Sequence, residues 1–131
     1  MKRIVICGSI QFIETMKLLS RSLEKSGFVA ITPNEDGGGN IPPEKTNEYK
    51  RRASLRYFNE VAHPDTYAVL VTNETKKNIV NYIGANTFAE IAIAFFHGKK
   101  IFLLNEIYEP FADELAAWGA IPLHGEINDL K

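Results

Sequence analysis

Two kinds of apolar pattern alternate along this chain, and that alternation limits its fold more than any other feature. Short runs, most of them β-branched, stop abruptly: Ile4-Val5-Ile6-Cys7, Phe28–Thr32, Thr66–Val71 and Ile101–Leu104. Continuous apolar runs of this length suit strands covered on both faces. Between them, apolar residues recur at helical spacing. Phe12, Ile13, Met16, Leu19 and Leu23 mark a first helix over Phe12–Lys25, closed by Ser26-Gly27. A second helix is expected over Thr46–Val61, with Ala53, Tyr57, Phe58 and Val61 inward and Pro64 beyond its end. Phe88–Phe96 is apolar almost all round, as expected of a helix held between a sheet and another surface, and Gly98 ends it. Pro110 suits the first turn of a last helix ending at Trp118-Gly119. Ile121-Pro122-Leu123 reads as a fifth strand, at an edge because of its proline. The order βαβαβαβαβ predicts an α/β fold: one doubly wound, five-stranded parallel sheet in a three-layer, flavodoxin-like or Rossmann-like sandwich.

A length of 131 residues allows one domain, spanning 1–131, and 45% hydrophobic residues supply its core. Fifteen basic residues against sixteen acidic ones leave a net charge of −1, which gives no global attraction to a nucleic acid polymer or an anionic membrane. Cys7 is the only cysteine, so neither an intrachain disulfide framework nor a multi-cysteine metal site is available. The basic start, MKRIVICGSI, leads into an apolar run that Gln11 and Glu14 end far short of a signal peptide or spanning helix. A cytoplasmic protein is the expectation.

In sheets of this kind, ligands bind beyond the carboxyl ends of the strands, where the strand order reverses. With a flavodoxin-like order that gap lies between strands one and three. Three segments are delivered there: Gly8-Ser9-Ile10-Gln11, the glycine-rich Pro33–Glu44 loop, and Gly84 to Glu90. Gly8-Ser9 sits between a strand end and a helix start, where backbone N–H groups and a hydroxyl approach an anion, or where Ser9 simply caps the helix. Neither the Walker spacing nor a GxGxxG fingerprint is present. Gly84 frees the backbone ahead of Asn86 and Thr87. Glu90 carries two readings: with Thr87 as cap, Thr87-x-x-Glu90 is a capping box, and otherwise Glu90 is a carboxylate aimed at a ligand in the crevice. Lys76, Lys77, Arg51, Arg52 and Arg56 have the reach to meet a phosphate, although most such charges are solvated. Tyr57 and Tyr82 present hydroxyls to the crevice or pack at its rim. His63, His97 and His124 share no metal-ligand spacing, and Cys7, inside an apolar strand, reads as inert.

The opening Ile4-Val5-Ile6-Cys7-Gly8-Ser9-Ile10, paired with a later Gly84-x-x-x-x-x-Glu90-x-x-x-Ala94-x-x-x-Gly98-Lys99, resembles the nucleoside 2-deoxyribosyltransferase family. Cys7-Gly8-Ser9-Ile10 is similar to the start of its 2'-deoxynucleoside 5'-phosphate N-hydrolases, and the order of elements agrees over nearly the whole chain. The resemblance implies an N-glycosidase or base-transfer enzyme acting on a nucleoside or its 5'-monophosphate. Glu90 is then the nucleophile on the anomeric carbon. Gly8, Ser9 and Ile10 form the 5'-side or phosphate turn, and Asn86 and Thr87 help hold sugar or phosphate. No metal or organic cofactor is implied, and a homodimer completing the pocket across its interface is. The family tyrosine two residues before the cysteine is Val5 here, its helix-two aspartate is Tyr57, and its aspartate or serine six before the glutamate is Gly84. Tyr57 is therefore the candidate donor for the leaving base, with Glu60, Glu35 or Asp36 as substitutes, and the Gly38-Gly39 loop is expected to close over the ligand. A domain of the same fold that binds nucleotides without catalysis is the alternative function. A flavodoxin-like FMN carrier fits less well, because the first turn lacks a run of Ser and Thr hydroxyls.

Overall fold

A computed structural model describes residues 2–33 and 45–130. Five strands, β1 (Arg3–Cys7), β2 (Val29–Ile31), β3 (Thr66–Val71), β4 (Lys100–Leu103) and β5 (Ile121–Pro122), form one sheet in the order β2-β1-β3-β4-β5. Every pairing is parallel. Four helices connect them: α1 (Ile13–Lys25), α2 (Thr46–Ala62), α3 (Ala85–Phe96) and α4 (Ala112–Ala117). This is the three-layer α/β sandwich expected from the alternation, with β5 at the edge where its proline belongs.

Strand parity divides the core into two layers. Ile4, Ile6, Ala68, Leu70 and Phe102 face α1, whose Met16 and Leu23 are buried against them. Val5, Cys7, Val69, Val71, Ile101 and Leu103 face the opposite side, where Val61 of α2, Ile91 and Ala94 of α3 and Leu115 of α4 close the second layer. Because successive side chains alternate across a strand, placing Val5 in the second layer places Cys7 there as well.

Several boundaries differ from the pattern-based expectation. Helix α3 starts at Ala85 rather than Phe88, and Gly84 is its N-cap. A 3₁₀ turn, Ile10–Phe12, precedes α1. The last helix is divided into a 3₁₀ turn at Glu109–Phe111, which contains Pro110, and α4. The connection after β3 contains a tight turn. Lys76 and Ile79 pair as an antiparallel bridge around Lys77 and Asn78, both left-handed with φ of 48° and 68°. Helix α3 is not covered all round, since Phe96 is 83% exposed and Phe95 is 47% exposed beside Trp118. Glu35, Asp36 and the Gly38-Gly39 loop lie outside the described residues.

Candidate active site

The turn that follows β1, one face of α2 and the first turns of α3 enclose a cleft of about 530 Å³. The strand ends come very close together here. A Cβ on Gly8 would stand 3.1 Å from the Thr72 carbonyl oxygen and 3.2 Å from the Thr72 Cβ, so a larger residue would force the two strand ends apart. The Thr72 N–H donates to the Cys7 carbonyl at 2.7 Å and extends the β1–β3 ladder to the edge of the cleft.

Gly8, Ser9, Ile10, Tyr57, Gly84, Asn86, Thr87 and Glu90 all line this one cleft. Ser9 also caps the 3₁₀ turn, accepting from the Gln11 N–H at 3.3 Å. Asn86 accepts a hydrogen bond from the Ser54 hydroxyl at 3.3 Å and so ties α3 to α2. Tyr82, Lys76 and Arg56 reach the cleft too, whereas Lys77 lines a different hollow and Arg52 pairs with Glu48 at 3.3 Å on the surface of α2.

The capping-box reading of Thr87-x-x-Glu90 is overturned. With Gly84 as N-cap, Thr87 is the third helical residue and Glu90 the sixth, and no side chain caps the helix. Thr87, Glu90, Ile91 and Ala94 form the buried stripe of α3, which puts the carboxylate on the core-facing side of the helix. Glu90 is only 5% exposed. Burial raises its pKa from 4.5 to about 7, and hydrogen bonding with the Cys7 thiol lowers it only in part. Burial, and then the Glu90 charge, push the Cys7 thiol well up in turn, so it remains protonated; it donates to the Val5 carbonyl at 3.8 Å, with the Glu90 carboxylate nearby as a second acceptor.

Tyr57 occupies the same corner with its proton already engaged. Its hydroxyl donates to the Ile6 carbonyl, and the Ile31 carbonyl lies 3.3 Å away. Burial, then the nearby Cys7 and Glu90, push the phenol well above its ordinary pKa. Both effects leave it poorly placed to act as an acid at neutral pH. Glu60, another possible proton source, is ion-paired with Arg3 near the opposite end of β1. Of the described lining residues Glu90 is the one carboxylate, while Lys50, Arg56 and Lys76 line other parts of the same cleft.

Two parts of this geometry were not anticipated. The Cys7–Glu90 contact was hidden because an all-apolar run conceals which strand residues share a face. Tyr49, Lys50, Ala53 and Ser54 line the cleft with Arg56 and Tyr57 as one face of α2, and their three- and four-residue spacing was the signal available. A second hollow of about 800 Å³ lies near Gln11, Asn105 and the 2.7 Å His124–Glu106 pair. It contains no buried titratable group, so the candidate chemistry belongs to the smaller cleft. Among the described residues, no three His, Cys, Asp or Glu side chains gather as metal ligands, and no helix is long and apolar enough to cross a membrane.

No family model and no curated protein sequence matches the chain. Among solved structures it is similar to the CMP N-glycosidase BcmB of Clostridium botulinum, with a TM-score of 0.53 and 16% sequence identity. The match covers 94% of this chain and 88% of that one. At this identity the likeness is one of fold.

Proposed function

We propose that this chain cleaves, or transfers at, the N-glycosidic bond of a nucleoside or its 5'-monophosphate, with Glu90 as the nucleophile. One observation carries the reading: Glu90 is the one carboxylate among the cleft's described lining residues, buried with no cationic partner among them, and the other charged residues of those walls are positive. Leaving an acid uncompensated in this way is costly and is a common mark of a functional group. Cleavage of the C1'–N bond builds positive charge at C1' and on the ring oxygen, which is the charge Glu90 is placed to meet. A Glu90 oxygen bonds to C1', the bonding pair leaves with the base, and the base takes up a proton. Water or a second base then attacks C1' and releases Glu90. In this reading the leaving base draws its proton from neither Tyr57 nor Glu60, which are otherwise engaged, so solvent, Glu35 and Asp36 are the sources that stay open. Gly8, Ser9, Ile10, Gly84, Asn86 and Thr87 hold the sugar and its 5' side, and Tyr57 fixes the strand end beneath Glu90.

The fold shared with a CMP N-glycosidase and the family-like Cys7-Gly8-Ser9-Ile10 turn support this class of reaction. The same reading assigns no cofactor and a homodimer, with exposed Leu55 on α2 and Phe95 and Phe96 on α3 as the apolar surface a second copy would cover.

The direct test is chromatography of the purified protein incubated with ribo- and deoxynucleosides and their 5'-monophosphates, with and without an acceptor base. Free base or exchanged nucleoside is expected, and Glu90→Gln is expected to abolish it. Tight nucleotide binding with no base released from any substrate would replace this reading with that of a non-catalytic nucleotide-binding domain.

A further inference from the structure

A departing base takes with it the electron pair of its bond to C1', and the α2 wall of the cleft offers that pair positive charge rather than a proton. Tyr57 gives its hydrogen bond to the Ile6 carbonyl, and Glu60 is paired with Arg3. Lys50 and Arg56, on the same helix, both line the cleft. Neither has an ion-pair partner among the described residues, whereas Arg52, which does not line the cleft, is paired with Glu48 at 3.3 Å. Lys50, Ser54 and Tyr57 follow at spacings of four and three along one stripe of α2. Tyr57 marks the end of that stripe at the Glu90 corner. Lys50 lies seven residues earlier, roughly 10 Å along the axis. Between them the Ser54 hydroxyl donates to Asn86 at 3.3 Å and fixes this wall against α3.

Resting on the glycosidase reading, we infer that Lys50 and Arg56 stabilise negative charge on the leaving base, so that the protein favours bases able to depart as anions. That reading gives the sugar and its 5' side to the turn after β1 and the start of α3, which leaves the α2 wall to the base. With C1' at Glu90, a base lying along this wall turns its far edge toward Lys50. As the C1'–N bond breaks, its pair passes to the ring nitrogen and spreads onto the ring carbonyl oxygens. The two cations meet that charge as it develops, and a proton from water joins the base afterwards. The favoured class is therefore the dioxopyrimidines and oxopurines, whose ring N–H is acidic. Cytosine, with one carbonyl and a weaker acid, fits less well.

The test measures base release in a single turnover at saturation and pH 7, on the 5'-monophosphates of 5-fluorouracil, uracil, thymine and cytosine. The parent rate is expected to rise about three- to tenfold for each unit by which the base is the stronger acid, with cytosine slowest. Lys50→Met and Arg56→Met, both at exposed positions, are each expected to lower it about ten- to a hundredfold. The loss should be largest for the least acidic base. Parent rates within about threefold across the four bases would mean that an acid protonates the leaving group, and would overturn the inference with the glycosidase reading intact. So would a loss in the variants that is equal for all bases. If the parent releases no base from any of the four, the glycosidase reading fails, and calorimetry with free bases at pH 8.5 decides for the α2 wall. Anionic 5-fluorouracil bound about tenfold more tightly than neutral uracil, and weakened by Lys50→Met, would support a site for base anions. Equal binding, or none, would overturn it.

Discussion

The two ends of the β1–β3 seam treat charge in opposite ways. At the amino end, Arg3 pairs with Glu60, the Thr66 hydroxyl donates to the Glu60 carbonyl at 2.8 Å, and the Lys99 ammonium donates to the His63 carbonyl at 2.9 Å. Apart from Arg3 Nε, the charged groups there have partners. At the carboxyl end, Glu90 is buried beside the neutral Cys7 thiol and Tyr57 phenol with no ion-pair partner among the described residues, and the Thr72 hydroxyl is buried with no hydrogen-bond partner among them. Both glutamates sit on helices covering the same face of one sheet, so fold alone does not explain the contrast. A domain that needs only stability has no use for the second arrangement, and the uncompensated end is where chemistry is expected.

The contrast breaks most sharply at Glu90. Glu90→Gln is expected to lower the rate of base release at least about a thousandfold while leaving nucleotide binding largely intact, measured by chromatography and calorimetry. The same variant is expected to be more stable than the parent at pH 8. A carboxyl whose native pKa is raised binds its proton more tightly folded than unfolded. Its contribution is therefore harmless below pH 4.5, becomes unfavourable as pH rises, and is fully unfavourable above about 7. Urea titrations should show a gain of up to about 3 kcal/mol at pH 8 and almost none at pH 4.

The amino end should respond in the opposite sense. Glu60→Gln leaves Arg3 without its counter-charge and should cost about 1–3 kcal/mol of stability with turnover per folded molecule unchanged. Tyr57→Phe, which removes the hydroxyl bridging β1 and β2, should cost about 1 kcal/mol in the same titration. The smallest effect concerns Cys7. The acid limb of kcat/KM should fall near pH 7, where Glu90 ionises, and Cys7→Ala should move it upward by less than about one unit, because a hydrogen bond to the carboxylate is lost. A downward shift would mean that the thiol is not a donor to Glu90.

The sheet was legible because each strand is a short apolar run between helical patterns, and parallel order follows from that alternation. Individual contacts were legible only where the sequence keeps a period. Thr87, Glu90, Ile91 and Ala94 share one helical stripe, yet Thr87-x-x-Glu90 also fits a capping box, and only the true start at Ala85 decides between them. Val5-Ile6-Cys7 contains no polar residue to reveal its parity, so the contact between Cys7 and Glu90 appears only when the sheet is built. The turn at Lys77-Asn78 was missed for a different reason. It lacks the glycine that usually announces two left-handed residues.

Asn73 follows β3 directly, at the root of the segment that carries Lys76 and Tyr82. Its side-chain amide donates to the Glu106 carbonyl at 2.7 Å and accepts from the Asn105 N–H at 2.9 Å, while its carbonyl accepts from the Asn105 side chain at 3.1 Å. These bonds join the exits of β3 and β4 into one unit before any ligand arrives. The conformational entropy of ordering the root of that wall is therefore lost during folding, not at the moment of encounter. Association on this side should accordingly be fast and show little kinetic lag, with affinity differences among ligands expressed mainly in how slowly they leave.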